Sequence, residues 1–302
     1  MGSRSGVRKI PNNIIVFWHD KRHLPVSIRE AVRSTMAIHP DYHLIFADDA
    51  SMHVFIKKHY HPDMLALYQA IRIPAARSDI ARLMLLYRFG GIYLDAAMEM
   101  IRPLDDYLSA DDELAFILRD DMPPWDASRP ERGSITNSLI AAVPGSPMLK
   151  SALALAVSHL NSGVYNRQVW FATGPYCLNL HLEKYEALCK IVKLQFSQLE
   201  NQLFVYRRVQ GISNQWAKDQ YSGILEQIPM LTGNPYTFAA RADEQAVGSA
   251  VLGSDGTAPG ADEAPADLAS QRLHPGGAGG WKKVGYLGLD AWIARTSKKS
   301  PP

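Results

Sequence analysis

The chain has 302 residues, of which 47% are apolar and 21% are charged, and its formal net charge is +2. This composition is ordinary for a folded chain and excludes a disordered protein, a disulfide-stapled mini-domain and a fibrous repeat. The near balance of charge gives no long-range attraction to nucleic acid or to an anionic membrane, so we expect neither as a partner. The two cysteines, Cys177 and Cys189, fit no zinc or disulfide pattern, which favours a reducing compartment.

The first third of the sequence alternates between predicted strands and helices. In chain order we expect a strand over 13–18, a helix over 27–39, a strand over 42–47, a helix capped by Asp49 or Ser51 and running to Tyr60, and a helix over 75–89. Gly90 and Gly91 end that last helix, and a strand over 92–95 follows at once. We expect this strand to continue over 98–101. Strand and helix in alternation predict an α/β fold with a mostly parallel central sheet flanked by helices.

The remaining elements are less regular. We expect a strand over 114–118, a loop over 122–133, an extended segment over 135–142 and helices over 147–161 and 176–192. Residues 241–280 are rich in alanine, glycine, aspartate and proline and contain no aromatic residue, so they predict a flexible loop. The expected organisation is a domain over 10–240, this loop over 241–280, and a C-terminal segment over 281–302.

The sequence shows no apolar run of the roughly 18 residues that a spanning helix requires. It also shows no apolar stretch among its first nine residues of the kind that marks a secretory signal. We therefore expect no transmembrane segment and a cytoplasmic, bacterial location, with an exported effector as the alternative.

The segment most informative for function runs from Ser78 to Asp95. Asp79 and Arg82 lie three residues apart and share one face of the predicted helix. Asp95 follows at the carboxyl end of the next strand, where open α/β sheets bind their ligands. An exposed helical Asp–Arg pair alone usually contributes less than about 1 kcal/mol, and a double glycine is usually only a helix cap. In this order, however, the features predict an acid–base pair and a strand-end acid converging on one polar ligand.

The same residues resemble glycosyltransferase family 32, the glycosyltransferases with a DXD-containing sugar-binding region, and more distantly the large clostridial glucosylating toxins. The resemblance rests on Ile10-Pro11 leading to Trp18, on Ser78-Asp79-x-x-Arg82, and on Gly90-Gly91-x-Tyr93-Leu94-Asp95. Weaker echoes are Asn137 to Pro147 and Thr173-Gly174-Pro175. The resemblance implies a GT-A fold, a nucleotide diphosphate sugar donor and an acceptor hydroxyl on a glycan or another molecule.

The resemblance also implies a role for each matching residue. Trp18 would stack on the nucleotide base, and Asn137 would lie near the transferred sugar. Asp79 and Arg82 would hold sugar hydroxyls and the diphosphate, since arginine presents a permanently charged donor fork. Tyr93 and Asp95 would approach the ribose, the diphosphate and a bound Mn²⁺ or Mg²⁺.

The sequence departs from the family pattern at position 97. The second acid of the DXD motif should stand there, but the chain reads Asp95-Ala96-Ala97, and alanine offers no oxygen to a hard cation. Three explanations stay open: an engineered loss of a metal-binding residue, a natural branch in which another acid serves, or a degenerate binder. Glu99 is a candidate substitute, because positions 95, 97 and 99 would share one face of a continuing strand.

A late segment of the chain matches the family less closely. His274 and Trp281 are the best counterparts of the residues with which relatives close the donor site, and His274 is a further candidate metal ligand. We expect a glycine-rich lid there that excludes water from an activated sugar. The resemblance therefore implies a sugar transferase that retains the donor's anomeric configuration, and we expect it to act in glycan or surface-polysaccharide synthesis. The alternative is a GT-A protein that binds nucleotide sugar without turnover.

Overall fold

The fold is a mixed α/β arrangement in a computed structural model that describes residues 8–121, 126, 133–207, 223–225 and 227. The strands are β1 (Asn13–Phe17), β2 (His43–Ala47), β3 (Gly91–Leu94), β4 (Met98–Met100), β5 (Leu114–Arg119), β6 (Ser134–Ala142), β7 (Ile191–Gln195) and β8 (Phe204–Tyr206). The α-helices are α1 (Val26–Ala37), α2 (Asp49–His59), α3 (Pro62–Ala70), α4 (Pro74–Phe89), α5 (Pro147–Ser162), α6 (Val169–Ala172), α7 (Pro175–Glu186) and α8 (Phe196–Leu199).

Six strands form the central sheet in the order β2-β1-β3-β6-β5-β7, and β4 and β8 form a separate antiparallel pair. Within the central sheet β2, β1 and β3 run parallel, β6 is antiparallel to both β3 and β5, and β7 is parallel to β5. Five strands therefore point one way and β6 alone points the other. Helix α4 packs against β1, β3 and β6 and against α5, which in turn packs on α7. The predicted α/β class with a mostly parallel sheet flanked by helices is confirmed.

The junction between α4 and β3 fixes where the strand-end acid lies. Gly90 and Gly91 have φ values of +59° and +111°, which only glycine adopts readily. A Cβ atom on Gly91 would lie 2.6 Å from the backbone oxygen of Asn13, and one on Gly90 would lie 2.6 Å from the Pro144 ring. Both glycines are thus required by backbone conformation and by close packing, and the predicted sharp helix-to-strand turn is confirmed.

The expected continuation of β3 through position 101 is wrong. The chain turns at Ala96 and Ala97, where the Met98 amide donates to the Asp95 carbonyl over 2.8 Å. Strand β4 then pairs with β8 in the second sheet, so residues 95 and 99 belong to different sheets. The alternation that was expected to place Glu99 beside Asp95 does not exist.

Several element boundaries also differ from the sequence prediction. The cap of α2 is Asp48, whose carboxylate accepts from the Ser51 amide over 2.7 Å while Ser51 Oγ accepts from the Asp48 amide. The helix expected over 176–192 ends at Glu186, and its predicted last residues lie partly in β7, which pairs with β5. The expected loop over 241–280 and the segment over 281–302 lie outside the described residues. None of the helices in the described part of the chain is long and apolar enough to cross a bilayer.

Candidate functional site

The predicted site residues meet where α4, β3 and β6 come together. Ser78, Asp79 and Arg82 lie on α4, and Asp95 directly follows β3. Because β6 runs antiparallel to β3, with Leu94 opposite Leu139, the start of β6 carries Asn137 to the end of β3. The Asp95 amide donates to the Ser138 carbonyl over 2.8 Å, which fixes this register.

Arg82 is the centre of the cluster. Its Nη2 lies 3.1 Å from Asp79 Oδ1, and its Nη1 lies 3.3 Å from Asp95 Oδ1. The same guanidinium donates through Nη2 to Ser78 Oγ over 2.8 Å, through Nε to the Ser78 carbonyl over 3.3 Å, and through Nη1 to the Asn137 carbonyl. One buried guanidinium thus joins two carboxylates that lie 16 positions apart in the sequence. Asp79, Arg82 and Asp95 lie together as the sequence predicts, and their convergence on a polar ligand stays a prediction.

Asp79 is held from three directions. Its Oδ1 accepts from Asn137 Nδ2 over 2.7 Å as well as pairing with Arg82, and its Oδ2 accepts from Thr173 Oγ1 over 3.0 Å. These partners come from α4, from β6 and from the turn before α7. The carboxylate is therefore fixed in one orientation before any ligand arrives, which is what a preorganised binding site needs.

Tyr93 lies beneath the cluster. The Arg82 guanidinium lies 4.5 Å from the centre of the Tyr93 ring, a cation–π contact. The Tyr93 hydroxyl is 3.2 Å from Ser78 Oγ and donates to Asp95 Oδ1 over 3.3 Å. Tyr93 is fully buried, so its role here is to support Arg82 and to orient Asp95.

The two carboxylates share one positive charge, and burial sets their acidity. Burial raises the pKa of Asp95 to about 6, with the Asp79 charge adding to the rise and Arg82 opposing it. Burial likewise raises the pKa of Asp79, against the effects of Arg82 and of hydrogen bonds from Thr173 and Asn137. The cluster therefore holds two carboxyl groups whose pKa values are raised by burial, and perturbed pKa values of this kind are common at functional sites.

Trp18 follows β1, whose end lies beside the end of β3 through the pairing of Val16 with Leu94. The indole is 1% exposed and lies 5.3 Å from the His19 ring, centre to centre. Its Nε1 is buried and finds no hydrogen-bond acceptor within the described part of the chain. The sheet register brings Trp18 to the same edge as Asp95, while its stacking on a base stays a prediction.

Glu99 lies in β4, outside the cluster formed by Asp79, Arg82 and Asp95. Its carboxylate pairs with Arg207, and the hydrogen bond and charge of Arg207, with a smaller contribution from Ser34, lower its pKa against the effect of burial. The hypothesis that Glu99 substitutes for the acid missing at position 97 is wrong in its premise, because the turn at 96–97 separates the two strands. Ala97 is 2% exposed, and its carbonyl accepts from the Arg207 amide over 2.7 Å.

The residues present do not fit a divalent cation at this place. Mn²⁺ and Mg²⁺ need several oxygen ligands, but Asp95 is the one acid of the motif, and its Oδ1 is engaged by a guanidinium. Among the residues described, no group of three or more histidine, cysteine, aspartate or glutamate side chains is arranged to hold a metal. His274, the other candidate ligand, and Trp281 lie outside the described residues.

Two residues of the cluster were absent from the predicted site. Ser78 belongs to the sequence motif, and its hydroxyl bridges Arg82 and Tyr93. Thr173 belongs to the Thr-Gly-Pro turn, and its hydroxyl donates to Asp79, which lies 94 positions earlier. The helical spacing of Ser78 and Arg82 was a usable signal for the first. Nothing local in the sequence indicates the second.

Comparison with known proteins agrees with this arrangement. Residues 25–114 match the family described as glycosyltransferase sugar-binding region containing DXD motif. Among curated relatives, inositol phosphoceramide mannosyltransferase 3 of Schizosaccharomyces pombe is 29% identical over 176 residues, covering 57% of this chain and 44% of the relative. An uncharacterized glycosyltransferase of Acanthamoeba polyphaga mimivirus is 32% identical over 100 residues, covering 33% of this chain and 40% of the relative.

A third relative is the mannosyl phosphorylinositol ceramide synthase SUR1 of Saccharomyces cerevisiae, 26% identical over 171 residues, covering 54% of this chain and 39% of the relative. The chain thus spans about two fifths of the length of each of these three relatives. Among solved structures, the PaToxG glycosyltransferase matches with a TM-score of 0.47 and 20% identity, over 59% of this chain and 70% of that one.

The match over residues 25–114 contains Asp79, Arg82, Tyr93 and Asp95, which carry the main part of the resemblance, while Ile10, Pro11 and Trp18 precede it. The resemblance to the glycosyltransferases with a DXD-containing sugar-binding region is therefore confirmed over this segment.

Proposed function

We propose that the protein transfers a hexose from a nucleoside diphosphate donor to a hydroxyl of an acceptor. The observation that carries the proposal is the buried network in which one guanidinium, Arg82, joins Asp79 and Asp95 at the carboxyl end of β3. A structural ion pair needs only one acid for one base, and the second buried carboxylate adds a desolvation cost that the fold alone does not require. A site that binds hydroxyl groups accounts for that cost.

Asp79 and Asp95 are the acceptors that a sugar or ribose would use. Each carboxylate oxygen takes more than one hydrogen bond, and the contacts of Asp79 Oδ2 and of Asp95 leave acceptor capacity beyond those described above. The donor's hydroxyls would therefore donate to these carboxylates, which are already held in place. Charged acceptors make hydrogen bonds about twice as strong as neutral ones.

Arg82 is buried beside the two carboxylates, and we propose that it acts on the donor through its charge and through the carboxylates it holds. Its donors already point at the Ser78 and Asn137 carbonyls, at Ser78 Oγ and at the two carboxylates, and its side chain is 5% exposed. We assign it two tasks: to fix the orientation of Asp79 and Asp95, and to place a permanent positive charge beneath the departing diphosphate. Charge fixed in a buried site stabilises a developing anion without reorganisation at the moment of reaction.

The transferred sugar that we propose first is mannose, since one relative above is named a mannosyltransferase and another a mannosyl phosphorylinositol ceramide synthase. The proposed acceptors are a glycan hydroxyl, as in surface-polysaccharide synthesis, and a hydroxyl of an inositol-bearing lipid, in line with the names of those relatives. Retention of the anomeric configuration and a GT-A fold are parts of the same proposal. The cytoplasmic location expected from the sequence stays a prediction.

The proposal is tested by titrating the purified chain with GDP-mannose, UDP-glucose and UDP-N-acetylglucosamine in a calorimeter, each with Mn²⁺ and with EDTA. A ligand of the folded state also raises the melting temperature by mass action. We expect one donor to bind and to release its nucleoside diphosphate when acceptor is added, with ¹H NMR of the product reporting the anomeric configuration. Absence of binding by every donor under both conditions would reject the proposal.

A second function, donor binding without transfer, is favoured by Ala97 specifically. If the alanine is a lesion, Ala97→Asp restores a second acid to the motif and raises turnover sharply in the presence of Mn²⁺. Turnover by the natural chain that equals or exceeds that of the variant would instead exclude this second function.

A further inference from the structure

Thr173 lies outside α4, β3 and β6, the elements that carry the other residues of the cluster, and its side chain contacts Asp79. It stands between α6 and α7, in the turn Thr173-Gly174-Pro175. Its Oγ1 lies 3.0 Å from Asp79 Oδ2, and the residue is 1% exposed. Its hydroxyl is directed to Asp79. We therefore expect any effect of Thr173 on the donor to act through Asp79.

The hydroxyl of Thr173 has one proton and two nearby acceptors. Asp79 Oδ2 is at 3.0 Å and the Val169 carbonyl is at 3.5 Å. The shorter contact goes to the charged acceptor, and the Val169 carbonyl already accepts from the amides of Thr173 and Gly174 over 3.1 and 3.0 Å. The Thr173 hydroxyl therefore donates its proton in a hydrogen bond to Asp79 Oδ2 and not to the Val169 carbonyl.

The turn itself holds Thr173 in place. A Cβ atom on Gly174 would lie 2.9 Å from the Trp170 carbonyl oxygen and 3.0 Å from its Cα, so glycine is what allows the chain to pass so close to α6. Pro175 then begins α7 at a position where its missing amide costs nothing. The hydroxyl thus comes from a rigid turn, and the orientation of Asp79 is set from both α4 and the α6–α7 connection.

We propose that Thr173 is a positioning residue that orients the Asp79 carboxylate for the sugar donor, an inference that rests on the proposed function. Without the Thr173 donor, Asp79 keeps its contacts at Oδ1 with Arg82 and Asn137 and loses the contact that fixes Oδ2. The carboxylate can then rotate about its bond to the side chain, and its second oxygen no longer meets the donor hydroxyl at a fixed angle.

The test compares three variants in a calorimetric titration with the donor that the natural chain binds. Thr173→Val removes the hydroxyl at nearly constant volume, and Thr173→Ser keeps it. The matched control is Thr35→Val, since Thr35 is 2% exposed and its Oγ1 accepts from the Met100 amide over 3.0 Å, away from Asp79. A hydrogen bond to a charged group corresponds to a change in Kd of roughly 10- to 100-fold.

We expect Thr173→Val to weaken donor binding by about 10-fold or more, Thr173→Ser to stay within about 3-fold of the natural chain, and Thr35→Val to leave Kd unchanged. A purely structural role predicts instead that both valine variants lower the melting temperature and neither changes Kd. That result, or a serine variant as weak as the valine variant, would overturn the inference. If the natural chain binds no donor, the proposed function fails with it, whereas normal binding by Thr173→Val removes this inference alone.

Discussion

Replacing Arg82 with methionine is expected to destabilise the protein strongly, because it leaves two buried carboxylates without their shared cation. The Arg82, Asp79 and Asp95 side chains are 5%, 8% and 9% exposed, and the two N–O distances are 3.1 and 3.3 Å. Removing one partner of such a buried pair costs about 3–5 kcal/mol. Methionine preserves most of the aliphatic stem of Arg82 and removes the guanidinium, including its contact with the Tyr93 ring, so the loss reports the charged group more than a cavity.

The loss from Arg82→Met should also depend on pH. Without the guanidinium, the pKa values of Asp79 and Asp95 rise further above their unfolded values. A carboxyl group with a raised folded pKa contributes stability below its unfolded pKa and loses that contribution as pH rises through the folded pKa. We therefore expect the variant to lose more stability at pH 8 than at pH 5.5.

Urea unfolding followed by tryptophan fluorescence measures both effects, with m-values compared to establish that the same surface is exposed. The matched control is Arg77→Met on the same helix, whose ion pair with Asp49 is more exposed, at 27% and 23%. We expect that control to lose less and to show little pH dependence. A loss for Arg82→Met below about 1 kcal/mol, or one equal at the two pH values, would refute the reasoning.

Three further predictions follow from the same contacts. Asp95→Asn should raise the free energy of unfolding by on the order of 1–3 kcal/mol at pH 8, because burial raises the Asp95 pKa to about 6. The gain should shrink as pH falls and be small near pH 3.5, below the pKa of about 4 in the unfolded chain; equal effects in urea unfolding at pH 8 and pH 3.5 would contradict it. Gly91→Ala should destabilise the protein by at least about 2 kcal/mol more than Gly145→Ala in thermal unfolding. Both glycines have positive φ, but a Cβ atom on Gly145 meets no atom within 4 Å. Equal losses of stability would argue against close packing as the cause. Mn²⁺ should raise the melting temperature of Ala97→Asp but not that of the unsubstituted chain, because the variant has a second carboxylate two residues from Asp95. Identical responses of the two proteins to Mn²⁺ would show that position 97 does not face a cation.

The α4–β3 segment could be predicted from sequence because its determinants are local. The helical spacing of Asp79 and Arg82, the double glycine and the short apolar strand are all contained within 17 residues of the chain. Each is a direct consequence of backbone geometry: side chains three apart share a helix face, and glycine alone tolerates the positive φ of the turn. Parallel pairing then brings the ends of β1 and β3 together, which placed Trp18 at the same edge.

The features that the sequence did not predict depend on contacts between distant parts of the chain. The turn at Ala96 and Ala97 has no glycine, proline or asparagine to mark it, and it follows from the pairing of β4 with β8 more than 100 positions later. Glu99 was therefore assigned to the wrong sheet. In the same way, the direction of β6 and the contact from Thr173 arise from packing, which helical or strand periodicity does not encode.

We propose above that Asp79, Arg82 and Asp95 form the binding site for a nucleoside diphosphate sugar. The dissociation constant of the preferred donor for Asp79→Asn, compared with that for Asp112→Asn, tests whether they do. Asp112 is a buried aspartate, 2% exposed, whose partners Ser109 and Lys190 lie apart from the cluster. We expect Asp79→Asn to weaken donor binding by at least about 10-fold and Asp112→Asn to bind the donor like the unsubstituted chain. Equal dissociation constants for the two variants would contradict it.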